Sequence, residues 1–415
     1  MPKTGAEAQT TSDAEKIDKA GLGSIIAAHA AVDMQTMSLN TLLPTLLATF
    51  SLNYATAAAI ITMNQVVIAV FQPVAGIIGD RKSIRWLAVF GCALCGVMMA
   101  SVTFLPAYWM IVVAAALSGV GSALFHPEAL KHARNLSGKY TTTGASWFFL
   151  GGNIGFGAAP LLVGFLIQRF GIHAAAWMIV PTILGCGLLV LQMRKFSRTV
   201  RASAAAGVGQ AIAAGHSRQV VWFVSFVLFL IILRSISYEG MKTFMPLYFA
   251  NETGKSTAEF APLLTAISLS GIVGTLFSGP LADRIGRRNL MVISMVVAIG
   301  ALYAFWTSTG VAQILWIGVF GIAMTAPWTI SVTMIQDAMP NQLGLAGGLT
   351  LGTAYGASGL GIGFLGILAN GIGLWPTLQF IAVVPAVVLV LSLWVPERVN
   401  HRRGVVRPVA QGAGK

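Results

Sequence analysis

Apolar residues run along this chain in twelve stretches, each near or above the roughly 20 residues a helix needs to cross the hydrocarbon core of a bilayer. They fall at about 22–49, 55–79, 84–104, 108–130, 141–168 and 172–193, then at 220–249, 257–281, 289–308, 311–336, 343–369 and 373–395. Short polar turns separate most of them, which makes consecutive helices antiparallel neighbours. The exception is 194–219, basic and rich in Ala, Gly and Ser, which reads as a flexible link. The pattern predicts an all-α integral membrane protein with a cytoplasmic segment over 1–20 and a six-helix bundle over 21–193. The link over 194–219, a second six-helix bundle over 220–396 and a tail over 397–415 complete it.

Composition agrees: 56% of residues are hydrophobic and 9% charged, against roughly 25% charged in soluble domains. The first 20 residues hold four acids and three lysines and no apolar core, so they do not form a secretory signal peptide and the first helix must do the targeting. A net charge of +13 would suggest nucleic acid in a soluble chain, but the bases sit in particular loops. All except Arg169, Lys255, Arg234 and Lys242 fall in the termini, the link and the turns on the same side as the termini. The positive-inside bias places both termini in the cytoplasm and makes nucleic-acid binding unnecessary. Cys92 and Cys95 are spaced like a redox or zinc pair, but no second pair accompanies them. They read as small helix-packing residues, as does Cys186, and no metal-ligand spacing is evident along the chain.

Two stretches half a chain apart share a pattern. Gly76-Ile77-Ile78-Gly79-Asp80-Arg81-Lys82-Ser83-Ile84-Arg85 and Gly279-Pro280-Leu281-Ala282-Asp283-Arg284-Ile285-Gly286-Arg287-Arg288 each end an apolar helix in an acid and a cluster of bases. This internal repeat resembles the loop between helices 2 and 3, and 8 and 9, of the major facilitator superfamily; Ser83 stands where a glycine is expected. The resemblance implies that these turns latch the two bundles at the cytoplasmic side, with Asp80, Arg81, Asp283, Arg284, Arg287 and Asp337 as gate residues.

Charges inside the apolar runs are the candidate chemistry. An ionised carboxylate at mid-membrane costs about 2.5–3.5 kcal/mol on insertion scales, so such groups face a cavity and mark an ion or substrate path. Asp33 shares a helix face with His29 and Asn40 and is the leading proton carrier. Helix 7 carries Arg234, Tyr238, Glu239 and Lys242. Glu239 and Lys242, three residues apart, can pair with each other. Aligning Pro44 with Pro246 brings Asp33 opposite Ser235 in the other half, which predicts an Asp33–Arg234 pair across the pseudo-two-fold axis. Alternatively, Asp33, Arg234, Glu239 and Lys242 neutralise one another in a dry core. Asn40 on helix 1, Gln65 on helix 2, Trp147 and Asn153 on helix 5, Arg234, Tyr238 and Lys242 on helix 7, Trp328 on helix 10 and Tyr355 on helix 11 are candidate ligand contacts.

Helix 4 approaches the cytoplasm as Phe125-His126-Pro127-Glu128-Ala129, followed by Ala133-Arg134 and Ser137-Gly138. This motif, with the His and Asp of helix 1, Gly151-Gly152-Asn153 of helix 5 and the Gly-rich helix 11, is similar to the fosmidomycin-resistance family of bacterial efflux proteins. His126 and Glu128 put titratable groups at the cytoplasmic mouth and join Asp33, His29 and Glu239 as proton-coupling candidates, unless Glu128 merely pairs with Lys131 or Arg134. The Gly-rich helix 5, ending in Ala159-Pro160, is similar to the antiporter motif of drug–proton exchangers.

The resemblance implies a proton-driven exporter of small toxic compounds, fosmidomycin, an anionic phosphonate, being the named instance. It would be a monomer in the bacterial inner membrane, with the lipid bilayer and a small, anionic or polar substrate as partners. Nothing resembles a nucleotide-binding loop, so the expected energy source is the proton gradient, with no cofactor and no metal. The alternatives are an uptake symporter for an organic anion on the same fold, and a membrane-embedded sensor or enzyme.

Overall fold

The computed structural model describes residues 17–81, 86–138, 141–203, 218–339 and 343–395. Twelve helical spans follow one another: α1 Lys19–Thr49, α2 Tyr54–Arg81, α3 Leu87–Ser101, α4 Tyr108–Leu136, α5 Thr141–Phe170 and α6 Ile179–Ser203. The second six are α7 Arg218–Asn251, α8 Thr257–Ile285, α9 Arg287–Thr307, α10 Gly310–Ala338, α11 Leu343–Ile372 and α12 Leu374–Ser392. Within α8, Ser270 separates two helical segments, Thr257–Leu269 and Gly271–Ile285. The chain thus enters α1 and leaves α12 at one face of the bundle, called here the terminal face; the other is the far face.

Eleven of these spans are long and apolar enough to cross a membrane. The twelfth, α1, is interrupted by His29, Asp33, Gln35 and Asn40, all of them buried. Its polar groups are tolerated because neighbouring helices rather than lipid surround them. Outward-facing Trp86, Phe165, Leu191, Phe277 and Trp394 are exposed, as a lipid-facing surface requires.

Two boundaries differ from expectation. Helix α4 continues through Pro127 to Leu136, because a proline removes one backbone donor without ending a helix that neighbours hold in place. Helix α6 runs to Ser203, into the stretch expected to be the link, while 204–217 lies outside the described residues.

The internal repeat is visible in backbone detail. The turns from α5 toward α6 and from α11 into α12 each use a glycine at positive φ, Gly171 at 83° and Gly373 at 92°, a conformation that penalises any Cβ. The halves are joined by a symmetric set of hydrogen bonds. Thr62 on α2 donates to the Gly359 carbonyl on α11 at 2.9 Å, and Thr265 on α8 donates to the Gly157 carbonyl on α5 at 2.8 Å. Each residue of one bond matches its counterpart in the other at an offset of 202 or 203 positions. Near the pseudo-axis Thr243 on α7 donates to Asn40 Oδ1 on α1 at 3.0 Å, across a separation of 203.

Toward the far face the seams between halves are tight. A Cβ on Gly366 would strike Ala58, and one on Gly164 would sit 3.0 Å from Ala261. Toward the terminal face they loosen: a Cβ on Gly352 would have no neighbour within 4 Å, and α5 packs chiefly against the first part of α8, Thr257–Leu269.

Replacing both Thr62 and Thr265 by Val removes the two hydroxyls at similar side-chain size. Interhelical hydrogen bonds in membranes average about 0.6 kcal/mol, so losing two should favour a parted far face by roughly sevenfold. Spin labels across that face on α2 and α11 should show a larger long-distance population; an unchanged distribution would show that the hydroxyls have no part in closure.

Candidate functional site

The amino-terminal half builds a site around Asp33. On α1, His29 lies one turn before it, and its Nε2 stands 3.1 Å from Asp33 Oδ2. Helix α4 adds His126, whose Nε2 stands 3.2 Å from Asp33 Oδ1. Each carboxylate oxygen therefore meets one imidazole. Each imidazole is in turn fixed by a backbone carbonyl: His29 Nδ1 lies 2.7 Å from Phe148 O on α5, and His126 Nδ1 lies 2.8 Å from Ser122 O. The Phe148 ring stacks on His29 with centroids 3.8 Å apart, excluding water from that side. Below it the backbone of Gly152 passes so close that a Cβ would collide with Asp33 Oδ2 and lie 2.8 Å from the His29 ring.

This arrangement overturns the expected Asp33–Arg234 pair. The spacing argument placed the two at equal depth on symmetry-related helices but could not supply rotation about each axis, and His126 on α4 takes the position expected for the guanidinium. Arg234 instead donates its Nε to the Met324 carbonyl at 2.7 Å. Its guanidinium carbon lies 4.9 Å from the Tyr238 ring and 5.5 Å from the Trp328 ring, within cation–π range.

The rest of a second, carboxyl-terminal cluster follows from α7. Lys242 pairs with Glu239 at 2.8 Å, as the three-residue spacing predicts, and its ammonium also lies over the rings of Tyr238 and Phe156. Asn153 Oδ1 and the Tyr238 hydroxyl converge on Gly271, 3.5 and 3.9 Å from where a Cβ would stand. The structure thus brings Asn153, Arg234, Tyr238, Lys242 and Trp328 together. Tyr355 on α11 interacts electrostatically with both Asp33 and Glu239, and so lies between the two clusters.

Other expected residues lie elsewhere. Asn40 serves the far-face seam through Thr243. Trp147 is exposed, and its neighbour Phe148 is the residue that covers His29. Gln65 is buried in the α2–α11 seam, and its Oε1 has no hydrogen-bond partner among the described residues. Glu128 is buried between Lys131 at 3.6 Å and His132 at 3.1 Å, so the expected local pairing holds with Lys131, with His132 in place of Arg134. At the terminal face Arg287 pairs with Asp337 at 2.7 Å. Asp283 and Arg284 are exposed, while the side chains of Asp80 and Arg81 lie outside the described residues.

The chain order had suggested no metal-ligand spacing. Folding corrects this, since ligand atoms of His29, Asp33 and His126 all lie within 4.8 Å of one another. No metal role is assigned to them, because each carboxylate oxygen already has an imidazole nitrogen at hydrogen-bond distance. Cys92 and Cys95 are buried free thiols; Cys95 Sγ approaches Ser118 Oγ at 3.4 Å, in keeping with a packing role.

Gly152→Ala would force a methyl into the carboxylate–imidazole contact. Overpacking of this kind costs about 1–3 kcal/mol, so the purified variant should melt at a lower temperature and lose transport, while Gly187→Ala, where a Cβ would meet nothing within 4 Å, should leave both unchanged. Wild-type melting and flux in Gly152→Ala would show that the cradle is not tight.

Comparison with known proteins places this architecture. The chain is 26% identical over 401 residues to the fosmidomycin resistance protein of Escherichia coli, covering 96% of this chain and 97% of that one. It is 25% identical over 275 residues to the cis,cis-muconate transport protein of Acinetobacter baylyi, covering 61% and 63%. Its fold matches the inward-open xylose transporter XylE of E. coli with a TM-score of 0.71 at 12% identity, over 92% of this chain and 97% of that one. The family model of the Major Facilitator Superfamily matches residues 25–261 and 227–411. With its twelve antiparallel spans in two related halves, the chain belongs to the Major Facilitator Superfamily and is a multi-pass membrane transporter, not an enzyme.

Proposed function

We propose that the protein exports small toxic compounds, anionic or polar in character, in exchange for protons, by alternating access between its two halves. The observation that carries this reading is the division of charge: a buried carboxylate clasped by two titratable imidazoles in one half, and a buried guanidinium in the other. Arg234 uses only Nε in its described hydrogen bond, which leaves both amino groups for a ligand's acidic oxygens. Lys242 is neutralised by Glu239, so Arg234 supplies the net positive charge of that cluster.

The cycle begins with the seams between the halves tight at the far face and looser at the terminal face. The bias of basic residues makes that face cytoplasmic. A cytoplasmic anion settles against Arg234, Tyr238 and Asn153, flanked by Trp328. Its charge acts on the Asp33 cluster through the intervening space, where Tyr355 feels both centres, rather than by breaking a direct Asp33–Arg234 pair. The far-face bonds then part as the two halves close toward each other at the terminal face. Protons taken up from outside return the halves to the cytoplasm-open state. The relative named for fosmidomycin resistance matches nearly the whole chain and supports export.

Uptake of an organic anion is the second reading, supported by the partial match to a muconate transporter and by the same Arg234 site. Everted vesicles under an inward-acid gradient distinguish the two: an exporter fills them with substrate and a symporter does not.

Asp33→Asn should remain in the membrane yet lose proton-driven export, seen as loss of resistance in cells tested against a panel of small acids that includes fosmidomycin; full activity would refute the assignment. Arg234→Gln should weaken binding of an anionic substrate by at least tenfold, since hydrogen bonds to charged groups contribute roughly 1.5–3 kcal/mol, and unchanged affinity would remove Arg234 from the site.

A further inference from the structure

We propose that the His29–Asp33–His126 cluster binds two protons as one unit, one in each gap between carboxylate and imidazole. The proposal rests on the proton-coupled reading above and adds the number of protons and the atoms that hold them.

The argument is one of donors and acceptors. A backbone carbonyl only accepts, and so does an ionised carboxylate. His29 Nδ1 faces the Phe148 carbonyl at 2.7 Å, and His126 Nδ1 faces the Ser122 carbonyl at 2.8 Å. The Ser122 hydroxyl also lies 3.3 Å from His126 Nδ1, but the shorter contact of each Nδ1 is to a carbonyl that can only accept, so each Nδ1 carries a hydrogen. This fixes the neutral form of both rings, with a bare Nε2 lone pair turned toward Asp33. At 3.1 and 3.2 Å a bare lone pair facing a carboxylate oxygen is acceptor against acceptor. Each gap becomes a hydrogen bond only when a proton occupies it.

Two gaps need two protons. Each proton is assigned to Nε2, because an imidazole is a stronger base than a carboxylate, with reference pKa values of about 6.5 against about 3.9. Loaded, the cluster carries a net charge of +1; unloaded, with Nδ1–H imidazoles and a carboxylate, it carries −1. With a single proton one gap still repels. The closed geometry is thus that of the doubly loaded cluster, and losing protons drives α1 and α4 apart at this point.

Few other charges interfere. Among the described residues, Cys95 on α3 interacts electrostatically with Asp33, and Tyr355 does so from α11. Phe148 and Gly152 of α5 bring no titratable group. On α6, Thr182 binds Gln35. On α2, Asn64 is bound to the Ala115 carbonyl. On α7, Glu239 and Lys242 pair with each other, and further along α4, Glu128 is held by Lys131 and His132. The swing of two charges therefore belongs to the three side chains. It faces the fixed charge of Arg234 in the other half: both centres are positive when loaded, which attracts an anion, and opposite in sign when unloaded.

The test is nitrogen NMR of the full-length protein in lipid nanodiscs with 15N-labelled histidine, titrated with pH. Assignment uses single substitutions of the six histidines. If His29→Gln or His126→Gln fails to fold, substitution of the other four assigns the pair by elimination. At the acid end both His29 and His126 should carry protons on both nitrogens, and at the alkaline end both should keep Nδ1–H and lose Nε2–H, a loss of two protons from the cluster. Asp33→Asn should leave at most one of the two doubly protonated, because its amide can accept at only one gap. A neutral Nε2–H form of either ring, or only one ring ever doubly protonated, would overturn the two-proton count. This outcome is separate from the fate of the coupling reading: proton-driven flux with a one-proton cluster would leave coupling intact, and a two-proton cluster without proton-driven flux would sink coupling alone.

Discussion

A carboxylate in the interior of a membrane protein is the constraint on which the rest of this structure depends. Asp33 cannot stay charged there without donors on its oxygens, and the first half of the chain supplies them from two helices. His29 comes from the same helix, and His126 from α4. Phe148 seals one ring face, and Gly152 lets α5 come close enough to do so. The helix that carries the acid is too polar to count as a membrane span by hydropathy, and is protected by its neighbours instead. Cost and arrangement go together: a group this expensive to bury holds its surroundings to a narrow geometry.

The second half answers with a different solution. Its guanidinium is spread over two aromatic rings and a carbonyl, and its ammonium is neutralised three residues away. The halves are thus symmetric in backbone and asymmetric in charge. Symmetry shows in the turn glycines Gly171 and Gly373 and in the paired Thr62 and Thr265 bonds, which together close the far face. Asymmetry shows where function is proposed: a proton site on one side, an anion site on the other, with Tyr355 within the field of both.

The twelve spans were legible in the sequence because lipid demands long apolar runs and the turns interrupt them sharply. The internal repeat was legible from Asp80-Arg81 and Asp283-Arg284, and the inward placement of Asp33, His29, His126 and Arg234 from their cost in lipid. What sequence spacing could not provide was rotation and tertiary partner. It placed Arg234 against Asp33, whose oxygens meet His29 and His126 instead. It put Asn40 with the ligand contacts, although Asn40 ties the far seam, and it chose Trp147 one position away from Phe148. Two further signals lie in the sequence. Ser122 lies one turn before His126 and fixes its ring, and the pairs Gly157/Gly359 and Thr62/Thr265 recur at offsets of 202 and 203, within one residue of the offset between the two prolines.

The account as a whole holds that protonation of one buried cluster is linked to which face of the transporter is open. The most direct measurement is the distance between spin labels across the terminal face, in nanodiscs, as pH is varied without substrate. The account predicts that the wild-type distribution shifts between open and closed populations with pH and that Asp33→Asn abolishes the shift while both populations remain observable. A pH-dependent shift that survives in Asp33→Asn, or a wild-type distribution indifferent to pH, would contradict it.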